Sequence, residues 1–322
     1  MYNAIGNTPL IRLNAISDMT GCEILAKAEF MNPSGSIKDR TALGIIRDAE
    51  NKGLLKPNDV IVEATTENFG VSLALLCNSL NYQCTIVIPE NENNQKIQLM
   101  KRFGSNIIEV PIVPETSESH YSKIPKKIES QFSNVFWCNY FENSANEKTH
   151  QNSTAVEIWN QTNGKIDAWI CSTRSGGTYS GVAKYLKSKN KKIKCFVVDS
   201  PGSVVYNWAT LGEKMIKGST NLDEIGNTKI TSNLNHSFID DAIFVEDQDC
   251  VNNMLYTLRK EGLYLGPISG ANIHASIESA KRLGPGHTIV TILYDSGDRY
   301  SSTFYDEKWL KSKKLEIPQK DT

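Results

Sequence analysis

Short apolar runs alternate with amphipathic stretches of helical period along most of this chain, and that alternation limits the fold more than any single residue does. Val60-Ile61-Val62-Glu63, Thr85-Ile86-Val87-Ile88, Phe196-Val197-Val198 and Ile289-Val290-Thr291-Ile292-Leu293 read as strands. Gly70 to Leu80, Asn94 to Phe103, Val251 to Glu261 and Ala271 to Arg282 read as helices. Strands separated by helices pair in parallel and bury their faces beneath those helices, so the pattern implies an α/β fold. With 322 residues the chain can form two lobes, each with its own core. No internal repeat and no long low-complexity tract interrupts it.

Charge and composition narrow the function. Acidic and basic residues intermingle and the formal net charge is −1, which leaves no footprint for nucleic acid or a membrane surface. No apolar run reaches the ~18 residues of a membrane span. The start, Met1-Tyr2-Asn3-Ala4-Ile5-Gly6, lacks the basic and apolar regions of a secretory signal. Seven cysteines without a CxxC pair fit reduced, buried thiols, and the five histidines show no metal-ligand spacing. A cytoplasmic enzyme acting on small molecules, without metal, nucleic-acid or membrane partners, is the expectation. The polar tail Lys311 to Pro318 reads as a loosely held terminus. Residues 210–236, rich in Asn, Gly, Ser and Thr, read as loops near a cleft.

Two segments carry chemistry. Lys38, in Asn32-Pro33-Ser34-Gly35-Ser36-Ile37-Lys38-Asp39-Arg40, follows the strand-like run Ile24 to Phe30 and precedes a helix-like one from Thr41. A lysine at a strand-to-helix turn can point its amine into a sheet-end cleft. Desolvation there lowers an amine pKa, so neutral Lys38 could attack an aldehyde and form a Schiff base. The second segment, Ser172-Thr173-Arg174-Ser175-Gly176-Gly177-Thr178-Tyr179-Ser180, lies between the strand-like Ile166 to Cys171 and a helix over Gly181 to Lys187. Small residues at a helix start let backbone N–H groups converge on an anion. An aldehyde-reactive lysine with a phosphate cradle suggests pyridoxal 5'-phosphate, which carries both groups.

With these motifs the chain resembles the cysteine synthase and cystathionine β-synthase family of pyridoxal-phosphate enzymes. The further landmarks are Ile5-Gly6-Asn7-Thr8-Pro9-Leu10, Asn143-Ser144-Ala145-Asn146, Gly266-Pro267-Ile268-Ser269-Gly270 and Gly297-Asp298-Arg299-Tyr300, in an order that spans nearly the whole chain. The resemblance implies a two-lobed fold type II enzyme, each lobe a mainly parallel sheet flanked by helices. It divides the chain into a large cofactor-binding lobe over 1–39 and 146–322 and a smaller, mobile substrate-binding lobe over 40–145. A homodimer is implied by analogy.

Residue roles follow from the same resemblance. Lys38 holds the cofactor and, once displaced by an amino acid, removes the α-proton. Asn68 donates to the cofactor's ring oxygen, although an asparagine there could instead cap the following helix. Ser175, Gly176, Gly177 and Thr178 bind phosphate, with Ser180 beside them. Either Ser296 or Asp295 meets the pyridine nitrogen, Ser296 being preferred; the competing reading is that both cap the next turn. Thr65 and Thr66 hold the substrate carboxylate, and Ser269 lines the same pocket.

Four positions, in three segments, depart from the family pattern. In Thr65-Thr66-Glu67-Asn68-Phe69-Gly70, Glu67 replaces a glycine and Phe69 a threonine. Arg174 replaces the glycine that opens the phosphate loop, and Tyr140 replaces a glutamine that helps to hold the substrate carboxylate. A carboxylate at Glu67 would repel a substrate carboxylate by about 1–4 kcal/mol for a close pair. Either Glu67 and Arg174 pair across the cleft, or Arg174 receives an anionic substrate group while Glu67 orients a cationic one; the bland alternative is that both face solvent. The expected activity is β-replacement on O-acetylserine or O-phosphoserine through an aminoacrylate, by default with sulfide to give cysteine. A specialised relative using an amine to make a diaminopropionate-type product, a cystathionine-forming or β-elimination enzyme, and a non-catalytic cofactor-binding regulator are the alternatives.

Overall fold

A computed structural model describes residues 1–92 and 95–318. Among the described residues ten strands form two sheets. They are β1 (Leu10–Arg12), β2 (Glu23–Ala28), β3 (Val60–Ala64), β4 (Gln83–Pro89), β5 (Asn106–Val110), β6 (Val135–Trp137), β7 (Ala168–Ser172), β8 (Lys194–Asp199), β9 (Asp241–Phe244) and β10 (Thr288–Leu293). The larger sheet runs β1-β2-β10-β7-β8-β9 and the smaller β5-β4-β3-β6. All pairings are parallel except that of β1 with β2.

The apolar strands behave as their composition demands. β7 is buried at every residue, and β10 at all but its first. Helices Gly177–Lys189 and Pro267–Leu283 cover the larger sheet, and its core gathers Trp169, Ile170, Tyr179, Ile289 and Ile292. The smaller sheet packs a separate core drawn from Ala42 to Ala145, with Ile45, Phe69, Leu73, Ile86 and Met100 fully buried. All seven cysteines are free and buried. The expected helix from Asn94 is seen over Gln95–Arg102; Asn94 itself lies outside the described residues.

The tail departs from expectation up to Pro318. Leu315 is buried, Gln248 exchanges hydrogen bonds with the backbone of Glu316, and Arg259 donates to the carbonyl of Pro318. One apolar residue and three hydrogen bonds to the helix Asp247–Glu261 hold this polar segment down. What positions the site is the direction of the strands. The turns after β3, β6, β7 and β10 all leave carboxyl ends of parallel strands, the edge at which open α/β sheets bind ligands.

Candidate active site

Lys38 is the first residue of the helix Lys38–Asn51, and the turn before it is anchored by its own motif. Gly35 takes φ +85°, a left-handed value that glycine adopts without strain. The Asp39 carboxylate accepts from the Ser34 N–H at 2.7 Å, and the Ile37 N–H donates to the Tyr294 carbonyl at 3.1 Å. Arg40 pairs with Glu29 at 2.8 Å and with Glu157 at 2.7 Å, and Lys27 joins Glu157 at 2.7 Å. Neighbouring cations hold the Glu157 carboxyl down to about 2 against the opposing effect of burial. Much of the motif around Lys38 is therefore scaffolding.

The lysine itself is 2 % exposed. Its ammonium donates to the hydroxyls of Tyr140 and Tyr294, each at 2.8 Å. The expectation that desolvation makes it a neutral amine is overturned. Burial does disfavour the charge, but the two phenolic oxygens and Glu224 outweigh it and raise the Lys38 pKa well above its ordinary value.

The glycine turn after β7 opens the helix Gly177–Lys189, with Gly176 at φ +84°. A Cβ on Gly176 would lie 2.7 Å from that of Leu234, and one on Gly177 2.0 Å from the Asn146 Oδ1, so packing also demands both glycines. Ser175 Oγ accepts from Asn146 at 3.0 Å, and Thr178 Oγ1 lies 3.2 Å from Nε2 of His150. Ser180 Oγ accepts from the Asn235 N–H at 3.1 Å. A gap too narrow for a water-sized sphere follows this turn and reaches Tyr294, so the anion-binding end adjoins the lysine's partner.

At the end of β10 the two candidates separate. Ser296 turns toward Asp298, accepting from its N–H and donating to its carboxylate at 2.7 Å, so it caps the short 3-10 helix Gly297–Tyr300. Ser296, the preferred candidate, is thus engaged by Asp298, whereas Asp295 takes the inner side, since consecutive extended residues point to opposite sides. Asp295 is fully buried, with Oδ2 accepting from Asn68 Nδ2 at 2.7 Å and Tyr300 Oη at 2.6 Å. Burial and the nearby Glu224 raise its pKa. Asn68 starts the helix Asn68–Leu80, and its amide is spent on Asp295 and Arg299.

The remaining substrate candidates divide sharply. Arg174 donates to Glu67 at 3.0 Å and to the Gly226 carbonyl at 3.0 Å, so the ion pair across the cleft is formed and neither side chain faces freely into solvent. Glu67, Arg174 and Thr66 line a cavity of about 300 Å³ with Tyr121, Asp223 and Asn227. Thr65 is buried and its Oγ1 accepts from the Glu67 N–H at 3.0 Å. Phe69 is fully buried and stacks on Tyr140 with centroids 4.4 Å apart. Tyr140 is directed to Lys38, and Ser269 Oγ accepts from the Tyr294 N–H at 2.8 Å. Phe69, Tyr140 and Ser269 thus shape the lysine's surroundings.

Glu224 and Lys96 escaped the sequence reading. Glu224, from the polar loop 210–236, accepts from Lys96 at 2.6 Å and from the Asn68 N–H at 3.2 Å. Lys96 belongs to the helix Gln95–Arg102, and both side chains are nearly inaccessible. No local motif marks either residue. The one available signal was the adjacent pair Asp223-Glu224 in a segment otherwise poor in carboxylates.

The donor set can be tested against an aldehyde that bears a phosphate and a basic ring nitrogen. Ser172 Oγ, Thr173 Oγ1 and Asp295 Oδ1 are buried without a hydrogen-bond partner in the protein, a state that normally signals a missing ligand contact. Two hydroxyls near a helix N-terminus suit a phosphate, a buried carboxyl suits a ring nitrogen, and the Lys38 amine is bonded to Tyr294, which lines the same gap as those hydroxyls. The residues present fit the group.

Comparisons with known proteins agree. The family described as "Pyridoxal-phosphate dependent enzyme" matches residues 1–295. Cysteine synthase 1 of Neurospora crassa is 42% identical over 320 residues, covering 98% of this chain and 85% of that protein. Cystathionine beta-synthase of Apis mellifera is 37% identical, covering 97% of this chain and 62% of that protein. A solved hydrogen sulfide-producing enzyme from Fusobacterium nucleatum superposes with a TM-score of 0.84 at 35% identity, covering 93% of this chain and 96% of that one.

Proposed function

We propose, from the premise that the chain belongs to the pyridoxal-phosphate dependent enzyme family, that it performs β-replacement on an activated serine, by default as a cysteine synthase with sulfide as nucleophile. The observation that carries this reading is Lys38, a buried amine adjoining a glycine turn and a helix N-terminus, in a chain 42% identical to a cysteine synthase over almost its full length. When bound, pyridoxal 5'-phosphate supplies an electron sink that lets an amino acid lose its α-proton and a β-leaving group.

The chain's own residues then divide the work. Lys38 is the amine that holds the cofactor and the base that takes the α-proton. Ser175, Gly176, Gly177 and Thr178 receive the phosphate, with Ser172 and Thr173 offering unpartnered hydroxyls. Asp295, rather than Ser296, faces the ring nitrogen, and a carboxyl there keeps that nitrogen protonated more readily than a hydroxyl would. Asn68, the first residue of the helix Asn68–Leu80, serves the cofactor's ring oxygen, and Thr65 and Thr66 in the turn before it receive the substrate carboxylate. Residues 40–145 act as the mobile lobe, and a cytoplasmic homodimer is the assembly we expect. Among the described residues no helix is long and apolar enough to cross a membrane.

The test is direct. Cofactor-loaded protein is supplied with O-acetylserine or O-phosphoserine and sulfide, and cysteine and the released acetate or phosphate are quantified together. Stoichiometric formation of cysteine and leaving group is the expected result. Leaving-group release without cysteine would point to an amine nucleophile or to elimination, and no release from either serine ester would defeat the proposal.

A further inference from the structure

We propose that Tyr140 and Tyr294 form a two-sided latch on Lys38, one hydroxyl from each sheet, which must open before the lysine can bond to a carbonyl. Each hydroxyl accepts from the same Nζ at 2.8 Å. Tyr140 follows β6 of the smaller sheet, whereas Tyr294 directly follows β10 of the larger one. The lysine is thus a cross-link between the two sheets as well as a reactive amine.

Both phenols are held by more than the lysine. The Tyr140 ring stacks on Phe69 with an interplanar angle of 17° and meets the edge of Phe141 at 4.7 Å. Its N–H donates to Glu63 at 3.0 Å and its carbonyl accepts from Asn146 at 3.1 Å. On the opposite side, the Tyr294 N–H donates to Ser269 at 2.8 Å and its carbonyl accepts from Ile37 at 3.1 Å. A third contact, between Ser34 and Ser72 hydroxyls at 3.1 Å, closes the same seam. The gap beyond Tyr294 leaves no room for even a water-sized sphere, far below the ~300–1,000 Å³ usual for a small-molecule site. A ligand at the glycine turn therefore requires movement of the groups that now hold Lys38.

Chemistry gives the latch its consequence. An ammonium has no lone pair, so Nζ must first release a proton, which passes to solvent water once the latch opens. The neutral amine then adds to the carbonyl carbon, and one water leaves for each C=N bond formed. The other groups acting electrostatically on Lys38 cannot supply that switch. Glu224 and Glu67 favour the ammonium; burial holds the Cys171 thiol up and therefore neutral, and holds His150 well below its usual value and also neutral. Tyr140, which follows β6, is the partner that a rearrangement of the two sheets can withdraw, whereas Tyr294 stays tied to the lysine's own turn through Ile37.

The first arm of the test is independent of the cofactor reading. The full chain, freed of cofactor, is exposed to a trace of acetic anhydride across pH 7–10, and acetylation at Lys38 is read by peptide mass spectrometry in wild type, Tyr140→Phe, Tyr294→Phe and the double variant. Without its acceptors Lys38 loses its proton at lower pH, so the labelling profile of the double variant should move down by at least about one unit, a tenfold gain at fixed pH. Profiles that coincide within twofold overturn the latch. If the double variant does not fold, Tyr294→Phe alone decides, with the same shift expected in smaller degree.

The second arm adds pyridoxal 5'-phosphate, quenches with borohydride and counts the modified Lys38 peptide against time. Faster capture in the phenylalanine variants supports the latch, and equal capture in all four proteins overturns it. Acetylation without capture in any protein overturns the cofactor reading set out above, and with it the latch's role in cofactor loading. The two failures are thereby distinguishable.

Discussion

Two ion pairs span the cleft, and they differ in almost every respect that matters physically. At the rim, Glu67 and Arg174 meet at 3.0 Å with 12% and 28% of their side chains exposed. On the floor, Glu224 and Lys96 meet at 2.6 Å with 1% and 7% exposed. Water still reaches part of the first pair, so losing one partner is less costly there than for a pair sealed from solvent. The second has no such access, and loss of one partner leaves a buried charge. The rim pair closes the outside of the cleft at lower energetic consequence, whereas the floor pair is bound up with Lys38, Asn68 and Asp295 and sets the charge state of the centre.

The sharpest way to test that division is at the floor itself. Lys38→Ala should reduce kcat for cysteine formation by more than about 10³-fold, since it removes both the cofactor's anchor and the base. Residual activity near the wild-type rate would show that the floor is not where the chemistry occurs. Next in size, Lys96→Met should destabilise the fold by about 3–5 kcal/mol in urea titrations by stranding Glu224. Restoration by the double change Lys96→Met with Glu224→Leu would confirm that the stranded charge, rather than a lost shape, was responsible.

A pH experiment probes the wall between floor and core. His150 lies between the hydroxyls of Thr41 and Thr154, 2.9 Å from each, and burial with nearby Arg40 and Lys38 lowers its pKa well below the usual value. Its depressed folded pKa means that the unfolded chain binds the extra proton first. The contribution of neutral His150 is therefore complete above about pH 6.5 and lost as pH falls below it, by at most about 1.4 kcal/mol per pH unit. His150→Gln should flatten that part of the stability profile; an unchanged slope would mean that the ring is already protonated in the fold. The smallest effect belongs to the rim, where Arg174→Met should destabilise less than Lys96→Met because water still reaches Glu67. A loss as large as that of Lys96→Met would erase the distinction between the two pairs.

The floor and the rim were also unequally legible. Strand and helix positions followed from apolar runs and helical periodicity, because those depend on neighbours in the chain; β3, β4, β8 and β10 extend the expected runs by only a few residues. Lys38 and the glycine turn were legible for the same reason, since each is a contiguous motif whose turn and helix start are local. The Glu67 and Arg174 pairing was an open alternative that the fold resolved, 107 residues apart in sequence. Glu224 and Lys96 could not be read at all, because a loop 128 residues away from its partner carries no periodicity and no motif. Asp295 and Ser296 show the limit most plainly. They are adjacent, both polar, and equally able to cap a turn; only the pleat at the end of β10 sends one inward to Asn68 and the other outward to Asp298.

What the amino-acid order determined by itself was everything short in range: two parallel sheets under helices, a lysine at a strand-to-helix turn, and an anion-binding helix start. Tertiary structure alone decided the groups that surround Lys38, the inward choice of Asp295 and the buried pair beneath them. The physical reason is common to all three. Charge and hydrogen bonding in a water-poor cleft are set by groups that arrive from both sheets, and their distances exist only once both sheets have folded and met.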